Sequence, residues 1–167
     1  QFPGKSVTMA AVDFRERLLA GLGGDWPQPS ELRTRSEKTI RKEGYRIELL
    51  TYEVEAGDWI PAYLLVPDSA TGKTPAPGIA IWHQHNGEYH LGKSEPAGLS
   101  GNPMHHTGVA LAKEGYVVLC PDALCFEDRQ DSTKKLKGHW YERFEFLRYV
   151  VAGKCMAWKN ILDMRRA

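Results

Sequence analysis

The chain has 167 residues, 42% of them apolar and 26% charged, enough for one domain that buries a core without disulfides or metal. Its 22 basic and 21 acidic residues are scattered and sum to a formal charge of +1, so neither a basic face for nucleic acid nor a polybasic tail stands out. No apolar run approaches the roughly 20 residues of a membrane span and no charged-then-apolar leader opens the chain, so the sequence predicts a soluble protein with no membrane partner.

The chain opens on Gln1, which makes QFPGKSVT consistent with a vector remnant or a cleavage product and Met9 with a native start. In AAVDFRERLLAGLGG, Val12, Leu18, Leu19 and Leu22 share a helical stripe that stops at Gly23 and Gly24, predicting a short leading helix. The polar, proline-bearing DWPQPSELRTRSEKT reads as a connector, so leader and connector together take residues 1–44. YRIELLTYEVE and DWIPAYLLVP are β-rich runs separated by the turn signal at Ala56, Gly57 and Asp58, and they predict an antiparallel hairpin. Pro61 marks part of the second run as an edge or a bulge.

From Pro77 the pattern changes. PGIAIWHQ and YVVLCPD are short continuous apolar runs, as expected of strands buried on both faces. Between them, Asn102 and Pro103 open a helix, PMHHTGVALAKE, that Gly115 closes; strand, helix and strand form the crossover of a parallel sheet. After the loop ALCFEDRQDSTKKLK comes a proline-free stretch that reads as one or two helices broken near Gly153. The fold class is therefore α/β, with a leading helix.

Several segments carry chemistry. Residues 87–94, GEYHLGKS, fit the phosphate-loop pattern from Gly87 to its closing Lys93 and Ser94, which raises nucleotide binding as an alternative. A working phosphate loop needs a helix to open at once on the lysine and serine, and here EPAGLSGNP follows instead. In WHQHNG, a parallel strand gives way to a loop, the place where sites form in open α/β sheets. Backbone N–H groups there suit a developing oxyanion, while the alternative is a plain turn at Asn86 and Gly87. His83, His85, His90, His105 and His106 lack an H-E-x-x-H or carboxylate-bracketed pattern, so no metal is assigned, and no cofactor.

No G-x-S-x-G is present; Ser94 and Ser100 are near misses that follow no apolar strand directly. Cys120, Cys125 and Cys155 fit neither a zinc ribbon nor a C-x-x-C pair and read as packing thiols of a reducing, cytoplasmic compartment, with one disulfide in a secreted protein as the alternative. Glu127, Asp128 and Arg129 sit in a loop at the site edge of the sheet, where they read as a surface ion cluster, or Glu127 and Arg129 join His83 as substrate-binding residues. The aromatics of HWYERFEF read as the core face of a helix, those nearest the loop being available to line a pocket.

The order of APGIAIWHQHNG, ALAKEGYVVLCPDALCFEDR and a long helix ending WKNILDMRRA resembles the N-terminal half of an α/β-hydrolase, most closely the dienelactone hydrolase and acetyl xylan esterase-like branches. The resemblance covers residues 45–167 and implies an incomplete hydrolase sheet, an antiparallel hairpin followed by the parallel crossover. It further implies a serine hydrolase acting on small-molecule carboxylic esters, in which His85 and Asn86 supply backbone oxyanion donors. The nucleophile, acid and histidine come later in that family, so the chain is expected to be one piece of a longer enzyme, separated by proteolysis or a chain break and inactive alone. The remaining hydrolase domain, or a second chain, is then the partner that covers the sheet edge. The rival from another class is a non-catalytic α/β interaction module.

Overall fold

The structure is a computed structural model that describes residues 6–167, with side chains from Asp13 onward. The expectations for the first five residues and for the Val12 side chain lie outside the described residues. The elements are α1 (Ser6–Leu22), β1 (Thr34–Lys42), β2 (Tyr45–Glu55), β3 (Asp58–Pro67), β4 (Gly78–Ala80), α2 (Thr107–Lys113), β5 (Val117–Pro121), α3 (His139–Val151) and α4 (Met156–Arg166). The strands form one sheet in the order β1-β2-β3-β5-β4. The first pairings are antiparallel and β4 runs parallel to β5, so the predicted hairpin and crossover are both present.

The alternation along β2 and β3 assigns the two faces. Ile47 and Leu65 join Ala112, Val118 and Cys120 in a core under α2, while Tyr52, Val54, Ile60 and Ala62 pack on Trp158 and Leu162 of α4. Helix α2 comes so close to the sheet that a Cβ at Gly108 would lie 2.7 Å from the Pro96 carbonyl and 3.0 Å from Cys120 Sγ. On the other face the leader is tied to α4: the Trp26 indole N–H donates to the Trp158 carbonyl at 3.0 Å, and Trp158 returns one to Gly24 at 2.9 Å.

The sequence-based reading needs three corrections. Residues 34–42, expected as connector, form β1; its charged residues face water along nearly its whole length, so the apolar alternation that betrays a strand is absent. Such charges suit an edge strand, which they protect from pairing with other chains. Pro61 lies opposite Thr51 and one residue before the pairing of β3 with β5 begins, so the start of β3 is a local edge, as expected, and the missing N–H breaks no ladder; the bulge is in β2, between Glu53 and Glu55. The apolar run at 78–82 supplies only a three-residue strand, exposed on both sides of half-buried Ile79, because β5 inserts between it and the hairpin and leaves β4 at the sheet edge. The helix from Pro103 is split, with a 3₁₀ turn (Pro103–His105) capped by the Asn102 side chain preceding α2. The final helical stretch is two helices separated at Gly153, whose φ of +72° suits glycine.

Candidate active site

β4 and β5 end side by side, and the loops leaving their carboxyl ends enclose a pocket of about 280 Å³. Trp82, His83, Gln84 and His85 come from the first loop and Ala123, Leu124 and Phe126 from the second; Glu142 of α3 and Met156 and Asn160 of α4 complete it. Its position, at the strand ends of an open α/β sheet, is where ligands enter such folds.

The two histidines are fixed by their hydrogen bonds. The Ala123 N–H donates to His83 Nε2 at 3.1 Å, which puts the ring proton on Nδ1, where it meets the Gln84 carbonyl at 2.8 Å. Burial lowers the basicity of this imidazole, and His83 serves as a neutral bracket between the two loops. His85 has the opposite tautomer: Nδ1 accepts the Gly87 N–H at 3.3 Å and Nε2–H donates to Glu142 Oε1 at 2.8 Å. The other Glu142 oxygen accepts the Tyr89 hydroxyl at 2.5 Å, and burial, aided by that carboxylate, pushes the phenol up to about 12. Tyr89 stacks on Phe126 with ring centres 4.9 Å apart, and His85 meets the same ring edge-on at 5.1 Å. Asn86 and Gly87 turn the loop with φ of +34° and +69°.

Behind the pocket lies a buried ionic chain. Lys93 Nζ is 2.9 Å from Asp122, 2.8 Å from Glu127 and 2.6 Å from Asp128, with only 1% of its side chain exposed. The carboxylates also hold the backbone: Asp122 accepts the Lys93 N–H, and one Glu127 oxygen accepts the N–H groups of Gly92 and Ser94 and the Ser94 hydroxyl. Burial pushes the Asp122 carboxyl up, Lys93 opposing it, while the surrounding carboxylates hold the Lys93 ammonium above its ordinary range against the cost of burial. Arg129 continues the chain, donating to the Asp122 carbonyl at 3.1 Å and to Asp163 Oδ2 at 2.7 Å; Lys159 then joins Asp163 to Glu55 and Asp58 across α4 and the β2–β3 turn.

This arrangement corrects two readings. The phosphate-loop pattern at 87–94 binds no phosphate through its lysine, because that ammonium is sealed among three carboxylates and the Ser94 hydroxyl is held by Glu127. Glu127 and Arg129 belong to this buried chain instead of a surface ion cluster, and neither lines the pocket, whereas His83 and His85 do and Asn86 adjoins them. Asp122, Glu127 and Asp128 are spaced to hold a cation, but Lys93 Nζ already stands in contact with all three. Cys120 and Cys125 are buried, and burial pushes both thiols up to about 12, so neither is a ready nucleophile. The sequence reading missed Glu142, Tyr89 and Asn160; only the hydrophilic Glu142 amid the aromatics of α3 offered a signal, and nothing in the spacing joins residue 142 to residue 85.

Mixed sheet, flanking helices and strand-end pocket together give the chain an incomplete α/β fold. An acetyl xylan esterase-like crystal structure from Bacteroides fragilis superposes with a TM-score of 0.69 over 94% of this chain, at 16% identity. In sequence, the chain is 29% identical over 119 residues to the Bacillus subtilis protein named "Putative hydrolase YtaP", over 70% of its length. It spans 38% of that relative and 40% of the esterase chain. No protein-family model matches. Among the described residues, no helix is long and apolar enough to cross a membrane.

Proposed function

We propose that this chain supplies the oxyanion side of a serine hydrolase acting on carboxylic esters, with the nucleophile contributed from outside these residues. The observation that carries the reading is the pocket at the paired carboxyl ends of β4 and β5, rimmed by the 83–87 loop. His83 brackets that loop to Ala123 and the His85 side chain is anchored on Glu142, and both contacts support the loop; in this reading the backbone N–H groups of His85 and Asn86 receive the substrate oxygen. In the reaction, a serine oxygen attacks the ester carbonyl, a histidine takes its proton, and these N–H groups stabilise the negative oxygen of the tetrahedral intermediate. The likeness to an esterase fold and to a hydrolase supports the reaction class.

The test uses the intact protein with a neutral p-nitrophenyl ester and a fluorophosphonate probe. The wild type hydrolyses the ester and is labelled on serine. His85→Pro, which deletes one donor, lowers kcat by roughly 100- to 1,000-fold, as loss of an oxyanion donor does elsewhere. Hydrolysis that persists unchanged after this replacement contradicts the reading.

One observation favours a non-catalytic module instead. Trp140, Phe144, Leu147 and Val151 form an exposed apolar stripe on α3, of the kind that marks a partner surface. An intact protein that binds a partner through this stripe, without turnover or probe labelling, decides for that reading.

A further inference from the structure

The pocket has an unusual charge balance. Of its lining residues only Glu142 bears a formal charge. His83 Nε2 accepts the Ala123 N–H and His85 Nδ1 accepts the Gly87 N–H. The two partners of Glu142, the Tyr89 hydroxyl and the His85 Nε2–H, orient its carboxylate at the pocket wall.

Three cations of the surrounding elements are committed elsewhere. Lys93 is enclosed by three carboxylates, Arg129 is paired with buried Asp163, and Arg148 lies against Glu145 at 2.5 Å. Trp82 adds a part-exposed aromatic ring to the lining, a kind of surface that attracts cations and tolerates neutral groups. A carboxylate entering this pocket meets a like charge with no compensating donor of opposite sign.

We infer that Glu142 is a specificity-determining residue that restricts the pocket to substrate groups without negative charge, favouring cationic over neutral and rejecting carboxylates. This inference rests on the ester hydrolase reading for the reaction but not for the ligand preference. The Glu142 carboxylate acts through space on the bound group and takes no part in bond making.

The experiment compares three p-nitrophenyl esters of similar acyl length on the intact protein: the butyrate, the monosuccinate and the 4-trimethylammoniobutyrate. The kcat/KM ratio of cationic to anionic ester is expected to be at least 30 in low salt and to fall at least fivefold in Glu142→Gln. Glu142→Asp, which keeps the charge, retains most of the preference and controls for damage to the fold. An anionic ester turned over as well as the cationic one, or a ratio unmoved in Glu142→Gln, overturns the inference. If no ester is hydrolysed, the reaction reading fails by itself. Calorimetric binding of tetraethylammonium against butyrate, with the same two variants, then decides the charge preference: tighter binding of the cation that is lost in Glu142→Gln supports it, and equal binding refutes it.

Discussion

Lys93 Nζ stands 2.9 Å from Asp122 Oδ2, with both side chains withdrawn from water, and this pair joins the end of β5 to the loop that follows β4. Removing one member of a buried pair leaves the other charge uncompensated, which costs about 3 to 5 kcal/mol. Lys93→Met is therefore expected to lower the thermal midpoint by roughly 10 °C in a chain of this size. A midpoint within a degree or two of wild type contradicts the account.

The same cluster predicts an induced metal response. With Lys93→Ala, the carboxylates of Asp122, Glu127 and Asp128, whose ligand atoms lie within 4.8 Å of one another, lose their cation and gain space. Hard divalent ions take such oxygen sets, so millimolar calcium raises the melting temperature of Lys93→Ala and leaves the wild type unmoved. Equal shifts in both proteins point to binding elsewhere.

The glycines of 87–94 separate packing from backbone freedom. A Cβ at Gly92 would overlap the Asp122 carboxylate and approach Glu127 Cβ to 2.9 Å, while at Gly87, with φ +69°, it would meet nothing within 4 Å. Gly87→Ala should then cost only the left-handed conformation, about 1 to 2 kcal/mol. Gly92→Ala must also displace the ionic cluster and should cost more. Urea unfolding of the two variants measures the difference, and the reverse order sinks the argument.

His83 predicts a pH dependence of stability. Its folded basicity lies below the ordinary value near 6.5, so its contribution is present above that pH and lost as pH falls through the lower folded value. Asp122, whose carboxyl is pushed up to about 6, has the opposite sign: its contribution is present at low pH and lost as pH rises through about 6. Comparing wild type with His83→Gln isolates the first effect. The wild-type advantage in urea midpoint should shrink from pH 7.5 to pH 5, and an advantage that is constant or grows contradicts the assignment.

Thiol accessibility gives a simple check. Cys120 and Cys125 are buried, whereas Cys155 is half-exposed. Brief iodoacetamide treatment of the native protein should modify Cys155 ahead of the other two, with all three reacting in denaturant. Rapid native labelling of Cys125 is incompatible with this packing.

How far the sequence reveals this molecule depends on whether apolar pattern or pairing decides the element. The β2–β3 hairpin and the crossover from β4 to β5 were legible because alternation, Gly57, Asn102 and Gly115 all point the same way. Strand β1 was hidden since a solvated edge strand carries no apolar period. At the site, WHQHNG was visible as a strand end, but the partners of its histidines come from Ala123 and Glu142, distant in sequence and brought close only by the fold. Lys93 was misleading for the same reason: a short pattern shows the lysine but not the carboxylates that enclose it.

The most direct test of the central claim is to follow the amide resonances of His85 and Asn86 in intact protein selectively labelled with ¹⁵N-histidine and ¹⁵N-asparagine while phenylboronic acid is added. A boronate attached to the nucleophilic serine places a tetrahedral oxygen where the oxyanion forms. The account predicts downfield proton shifts at these two amides, and their loss when the serine is blocked beforehand with fluorophosphonate. A boronate adduct that forms while both amides stay where they were would contradict it.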